Sequence, residues 1–288
     1  MWGYQFGRVC STICNVVTLY YFIVGVLGLA IGSFLNVVID RIPNGKTIFI
    51  DRSKCDYCKE ELRWYELVPV LSYVIQNGKC MRCEGKLSYQ YPLVELLTAI
   101  ILVTVVYFSP LVITLELIIS IIFILTLIAV TIIDLKLLII PDQLMYFLFF
   151  VFVLVSSITL GWDVFNSGFF GDVILQWAGP VVNHLVSASI AGGFFYALVL
   201  LTKGKGMGGG DVKLAYIMGL FLTGTQTLVA IYAAFIIGAV VGLVLLAMRR
   251  KKFGQVVPFG PFLSIGALLS LLWAQDLIDL YLTVFTVR

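Results

Sequence analysis

Four of the six cysteines of this 288-residue chain form two Cys-x-x-Cys pairs, Cys55-Asp56-Tyr57-Cys58 and Cys80-Met81-Arg82-Cys83, separated by 21 residues. This spacing sets two thiolates on one tight turn, and two such turns complete a tetrahedral four-sulfur site for zinc. The separation lies just beyond the usual zinc-ribbon length of about 15–20 residues. Four protein sulfurs close the coordination sphere, so the expected zinc is structural and leaves no position for a reacting water. The competing reading is two unrelated thiol pairs; disulfides are disfavoured if the segment is cytoplasmic. Cys10 and Cys14, spaced four apart beside the first apolar run, read as membrane-helix thiols without a function.

Two carboxylates form the second candidate constellation. Asp134 follows an apolar run in Ile132-Ile133-Asp134-Leu135-Lys136 and precedes Ile140-Pro141-Asp142, and Asp211 closes Gly208-Gly209-Gly210-Asp211. A carboxylate at the edge of a bilayer is costly and marks function by default. Each has a structural alternative: Asp134 pairing with Lys136 or capping a neighbouring helix, Asp211 capping its own. Asp142, after Pro141 at a helix start, reads as an N-cap. Five glycines within residues 204–210 offer an approach free of side chains, where an extended substrate backbone can come close, or else a hinge. No Gly-Lys-Ser/Thr follows them, so this is not a P-loop. Two carboxylates brought together in a low-dielectric site do not both ionise readily and share a proton, the arrangement that activates water in aspartic proteases. On chemistry alone, an intramembrane hydrolase competes with a zinc-stabilised transporter, because transporters also use membrane carboxylates.

The elements that must hold these groups are membrane helices. The chain is 61% hydrophobic and only 12% charged, with a mean hydropathy of +1.05. A soluble domain carries about twice that charge, which excludes a water-soluble fold, a disordered chain and a nucleic-acid-binding module. A bilayer core needs roughly 20 apolar residues per helix. The charge-poor runs predict an all-α polytopic membrane protein of about eight transmembrane helices, near 19–39, 91–108, 111–133, 143–161, 182–202, 212–223, 226–247 and 258–275, the sixth being short. The first run lacks a small-residue cleavage site and reads as a retained helix rather than a signal peptide. With eight spans, 17 of the 19 Lys and Arg residues fall on one side, which the positive-inside rule makes cytoplasmic. The predicted organisation is an N-terminal extension and first helix over 1–40, a small cytoplasmic zinc-binding domain over 41–90, and a protease-like membrane domain over 91–288. Both aspartates then sit at the cytoplasmic membrane face.

The motifs resemble those of bacterial type IV prepilin peptidases, the leader peptidase/N-methyltransferase group of GxGD-type intramembrane aspartic proteases. The resemblance runs from Gly32-Ser33-Phe34-Leu35-Asn36-Val37 and Arg41-Ile42-Pro43 through both cysteine pairs, with Leu67-Val68-Pro69-Val70-Leu71-Ser72-Tyr73 between them. It continues through Gly78-Lys79-Cys80, Tyr91-Pro92-Leu93-Val94-Glu95, the Asp134 motif and Gly208-Gly209-Gly210-Asp211. It covers residues from about 25 to 220 in family order. The departures are a polar insertion around 161–181 and an extension before Tyr20.

The resemblance implies a bifunctional enzyme of the bacterial cytoplasmic (inner) membrane. Such an enzyme removes the basic leader of prepilins or pseudopilins after a glycine, then N-methylates the new N-terminal residue with S-adenosylmethionine. Carried over by motif, Asp134 and Asp211 are the protease pair, and the zinc domain accompanies the methylating members. No glycine-rich methyl-donor motif is visible; Glu95 and Asn36 are polar residues at helix ends that either serve that site or anchor helices. The six acidic residues of 41–90 are outnumbered by nine basic ones, so only a local acidic patch would favour a basic leader. The implied partners are prepilin substrates and membrane lipid, with no nucleic acid. The alternatives are a protease lacking methyl transfer, a zinc-bearing transporter and a non-catalytic assembly factor.

Overall fold

The computed structural model describes residues 2–48, 50, 52–109, 114–167, 170–204, 207–248 and 257–286, with side chains described outside 2–15, 160–178 and 284–286. Asp51, Lys205, Gly206, Arg249 to Lys252 and Arg288, and the side chains of Arg8, Cys10 and Cys14, lie outside the described residues. Nine α-helices are present among those residues: α1 (Trp2–Arg41), the short α2 (Leu71–Ile75), α3 (Gln90–Phe108), α4 (Leu115–Leu137), α5 (Asp142–Ser167), α6 (Phe170–Leu201), α7 (Gly209–Phe221), α8 (Gly224–Ala247) and α9 (Gly260–Thr286). The only β-type pairings among the described residues are two isolated bridges in the cysteine-bearing segment.

All eight helices expected from the apolar runs are present, and several run well past them. α1 begins some 17 residues before its apolar stretch, and α5 and α6 carry helix into the polar insertion. Charge-free length measures the bilayer crossing, whereas a helix continues until a breaker or a lost backbone partner stops it. Among the described residues, seven helices are long and apolar enough to cross a membrane, one fewer than the eight expected. The exception is α7, whose 13 residues extend only about 20 Å.

The chain forms two compact units, residues 1–121 and 122–288. In the first, α1 and α3 run antiparallel at close range. A Cβ on Gly28 would come 2.6 Å from the Ala99 Cα, and one on Gly32 would come 2.6 Å from the Glu95 Cα. Small residues at this spacing let two membrane helices bring their backbones together. At the polar end of the pair, Asn36 Nδ2 donates to the Tyr91 carbonyl at 3.1 Å and the Tyr91 hydroxyl donates to Asp40 at 3.2 Å.

The second unit is built on two antiparallel pairs. α7 retraces α6, where a Cβ on Gly219 would collide with the Ala188 backbone. The chain reverses at Thr223, whose hydroxyl and the Gln226 side chain form a capping box at the start of α8. α9 then runs back along α8, with Gly266 against Ala230 and Gly238 against Phe262. The Ser270 hydroxyl donates to the Gln226 carbonyl at 2.6 Å. Phe123 of α4 stacks on Phe221 of α7 with ring centroids 4.7 Å apart, and Phe123, Phe195, Leu148, Leu214, Met218 and Leu263 are fully buried. The first turns of α7 and α9 and the end of α4 are thereby brought to one end of this unit.

Candidate active site and metal centre

The cysteine segment is built from two copies of one turn. Cys55 N–H donates to the Glu60 carbonyl and Lys59 N–H to the Cys55 carbonyl, at 2.9 and 3.0 Å; Cys80, Gly85 and Glu84 repeat the pattern at 2.9 and 3.0 Å. The residue after each second cysteine takes positive φ, 60° at Lys59 and 55° at Glu84, which folds each pair of thiols to one side. The bridges Lys54–Glu61 and Lys79–Lys86 close the base of each turn. The sulfurs of Cys55, Cys58, Cys80 and Cys83 all lie within 4.8 Å of one another, and Cys55 Sγ is 3.8 Å from Cys83 Sγ. Zinc–sulfur bonds of about 2.3 Å place the corners of a tetrahedron about 3.8 Å apart, so the four residues fit a metal ion. Backbone N–H groups of Arg82 and Cys83 pull the Cys80 thiol down to about 7, towards the thiolate that binds metal. Arg82, inside the second turn, forms an ion pair with Glu60 and lies 3.7 Å from Glu66. Arg52 engages Glu61 at 3.3 Å, so three of the acidic residues that could have formed a leader-binding patch already have basic partners.

The two motif aspartates both lie in the second unit. Asp134 is three residues from the end of α4 and Asp211 is in the first turn of α7. Both are buried, 5% and 8% exposed. Ile140, from the link between α4 and α5, sits between their supports. It would meet a Cβ on Gly210 at 3.1 Å and one on Gly260 at 3.5 Å. Gly209 has open space on its Cα, and a Cβ on Gly208 would stand 3.8 Å from Asp211 Oδ2. Asp142, read from the sequence as an N-cap, occupies the first turn of α5 and accepts from Lys213 Nζ of α7 at 2.6 Å. That ion pair ties α5 to the helix carrying Asp211.

A third component escaped the sequence reading. The N–H of Gly260, at the start of α9, donates to Asp134 Oδ2 at 3.1 Å. A Cβ at this position would stand 2.6 Å from the same oxygen. The sequence alternative that Asp134 caps a neighbouring helix is thus realised together with its burial. The available signal was Pro258-Phe259-Gly260-Pro261, a glycine followed by a proline at a helix start. Its distance of 126 residues from Asp134 hid the connection. Gly260→Ala is therefore expected to displace the Asp134 carboxylate and lower turnover by about 10²-fold, the scale of an ångström-level misplacement, with KM little changed; steady-state kinetics on a peptide substrate check it.

Glu95 and Asn36 are both engaged in anchoring. Glu95 Oε2 accepts from the Val70 N–H at 2.7 Å, and Asn36 joins Tyr91 as above and accepts from Gln90 Nε2 at 3.3 Å.

The family model described as bacterial peptidase A24 N-terminal domain matches residues 26–109, and that of the type IV leader peptidase family matches residues 121–243. A prepilin leader peptidase/N-methyltransferase of Aeromonas hydrophila is 32% identical, over 93% of this chain and 95% of its own length. The chain belongs to the type IV leader peptidase family. Relatives carrying the same name in Bacillus subtilis and Pseudomonas aeruginosa are each 30% identical, over 89% of this chain and 96% and 91% of their own lengths. No solved structure matches. In this leader peptidase family member the first match contains all four clustered cysteines, and the second contains Asp134, Asp142 and Asp211 but ends before Gly260.

Proposed function

We propose that this chain removes the basic leader of type IV prepilins or pseudopilins and then methylates the new N-terminal amine with S-adenosylmethionine. The Aeromonas, Bacillus and Pseudomonas relatives bear both activities in their names. What supports the hydrolytic half is the burial of both Asp134 and Asp211, whose neighbours Gly260 and Gly210 both pack on Ile140. Two such carboxylates hold one proton between them. The ionised member takes a proton from a water molecule as its oxygen attacks the scissile carbonyl, and the protonated member polarises that carbonyl oxygen. The tetrahedral intermediate then collapses as the leaving amine accepts a proton. Gly260 N–H keeps the Asp134 carboxylate aimed, and the Lys213–Asp142 ion pair holds the start of α7 in register.

Zinc held by Cys55, Cys58, Cys80 and Cys83 supplies structure only, since all four ligands come from the protein. S-adenosylmethionine supplies the electrophilic methyl group. In the zinc-bearing unit, Gln76 Nε2 and Gln90 Oε1 are buried without a hydrogen-bond partner. Both centres lie at the cytoplasmic face in this reading, where a prepilin whose apolar helix spans the membrane presents its basic leader. Purified enzyme incubated with a prepilin and the methyl donor, followed by mass spectrometry, is expected to show leader loss and then gain of one methyl group. Leader loss alone would reduce the function to proteolysis, and neither change would remove it.

A further inference from the structure

The segment between α1 and α3 carries an apolar face that the proteolytic and metal sites do not use. Trp64 is 80% exposed, Leu71 56%, Val74 63% and Ile75 63%, with Leu67 also exposed. Leu71, Val74 and Ile75, spaced i, i+3 and i+4, share one face of α2, and Trp64 and Leu67, spaced i and i+3, share one face of the preceding 3-10 turn. In water such a patch is a liability, and its usual meaning is an interaction surface.

The fold fixes the depth of this face. α3 is a 19-residue candidate membrane span starting at Gln90. At 1.5 Å per residue it is about 28 Å long, just enough for a hydrocarbon core of about 30 Å, so Gln90 has to sit near the boundary of that core. Glu95 lies five residues further in, about 7 Å deeper along the helix. Its carboxylate accepts the N–H of Val70 at 2.7 Å. Val70 is the residue immediately before α2, and it takes an unfavourable φ of 60° for a β-branched side chain. The Tyr73 ring packs 6.0 Å from that of Tyr89, at the entrance to α3. The start of α2 is therefore pinned at the level of the membrane boundary, and α3 itself exposes Leu93, Leu96 and Ile100 to that bilayer. Arg63 and Lys79, both exposed, flank the patch, as cationic residues do beside membrane-surface helices.

We propose that residues 64–75 are an interfacial membrane anchor, in which Trp64, Leu67, Leu71, Val74 and Ile75 insert into the headgroup–acyl boundary of the bilayer that α1 and α3 cross. The occupant of the face is lipid. The anchor fixes the height of the metal-bearing segment above the bilayer through the Glu95–Val70 hydrogen bond.

The test uses the full-length protein in phospholipid vesicles, with Trp2, Trp162, Trp177 and Trp273 replaced by Phe so that Trp64 alone reports. Retained zinc and leader cleavage verify its fold. Trp64 emission is expected to be blue-shifted and strongly quenched by lipids brominated near the headgroup end of the acyl chain. Val74→Glu with Ile75→Glu in the same background is expected to shift the emission red and weaken the quenching. Water-like emission from Trp64 untouched by brominated lipid overturns the proposal. So does burial of Trp64 that appears only on addition of prepilin, which assigns the face to substrate, or that grows with protein density in the membrane, which assigns it to a second copy of the chain.

Discussion

Asp134→Asn and Asp211→Asn are each expected to lower leader cleavage by about 10²–10⁴-fold, the contribution of positioned proton transfer, with the double variant little worse than either alone. A pair that shares one proton acts as a unit, so removing either carboxylate removes the function of both. Asparagine preserves size and can still accept from the Gly260 N–H that contacts Asp134 Oδ2. The effect is therefore expected in turnover rather than in folding. Initial rates on a synthetic prepilin, together with thermal melts in matched detergent, separate the two. Near-normal cleavage by either purified variant removes that residue from the reaction. Additive losses in the double variant would show two independent contributions in place of a dyad. Asp142→Asn is the informative control: it breaks the ion pair with Lys213 but leaves both buried carboxylates, and an exposed pair of this kind contributes at most about 1 kcal/mol.

What could be read from the sequence followed from how local each signal is. The cysteine turns were legible because metal ligation imposes a short, fixed spacing; both pairs converge as expected. Asp134 and Asp211 stood out because a bilayer makes every charge expensive. Even so, α4 runs four residues past the expected end at 133 and α7 starts three before the expected 212, so both aspartates lie inside their helices. Helix lengths were less legible. The apolar run of α6 stops near residue 182, yet its helix starts at Phe170 and passes through Pro180, because hydropathy records lipid contact and not backbone hydrogen bonding. Gly260 was invisible for another reason. Its role depends on a backbone N–H and a missing Cβ, and neither advertises itself until α9 is packed against the end of α4. Glu95, left open between a ligand role and anchoring, anchors through a partner 25 residues away, and Asp142, expected as an N-cap, pairs with Lys213 71 residues away.

The two activities are expected to come apart by mutation along the boundary between the compact units. Every sulfur of the metal centre lies within residues 1–121, and Asp134, Asp211 and Gly260 all lie within 122–288. Hydrolysis needs two carboxylates and water. Methyl transfer needs a neutral amine in line with the sulfonium methyl carbon, a geometry that calls for no aspartate pair. Asp134→Asn and Asp211→Asn proteins are therefore expected to methylate a pre-cleaved pilin at a near-normal rate. Cys80→Ser is expected to behave oppositely. Zinc content should fall from about one per chain to near zero, and methyl transfer should be lost, with cleavage impaired no more severely. The loss follows from coupling of binding to folding. Structural zinc contributes roughly 10–16 kcal/mol of apparent binding free energy, whereas a segment this short buries too little apolar surface to fold unaided. Among its described residues, α2 and two 3-10 turns are the only helical elements between α1 and α3, so little is left to hold it once the sulfurs separate. Methyl incorporation into mature, unmethylated pilin, measured beside bound zinc and protease protection of residues 41–90, decides the matter. Well-folded aspartate variants that fail to methylate would mean that the two reactions share residues, and a Cys80→Ser protein that keeps full methylation without zinc would detach the metal from that activity.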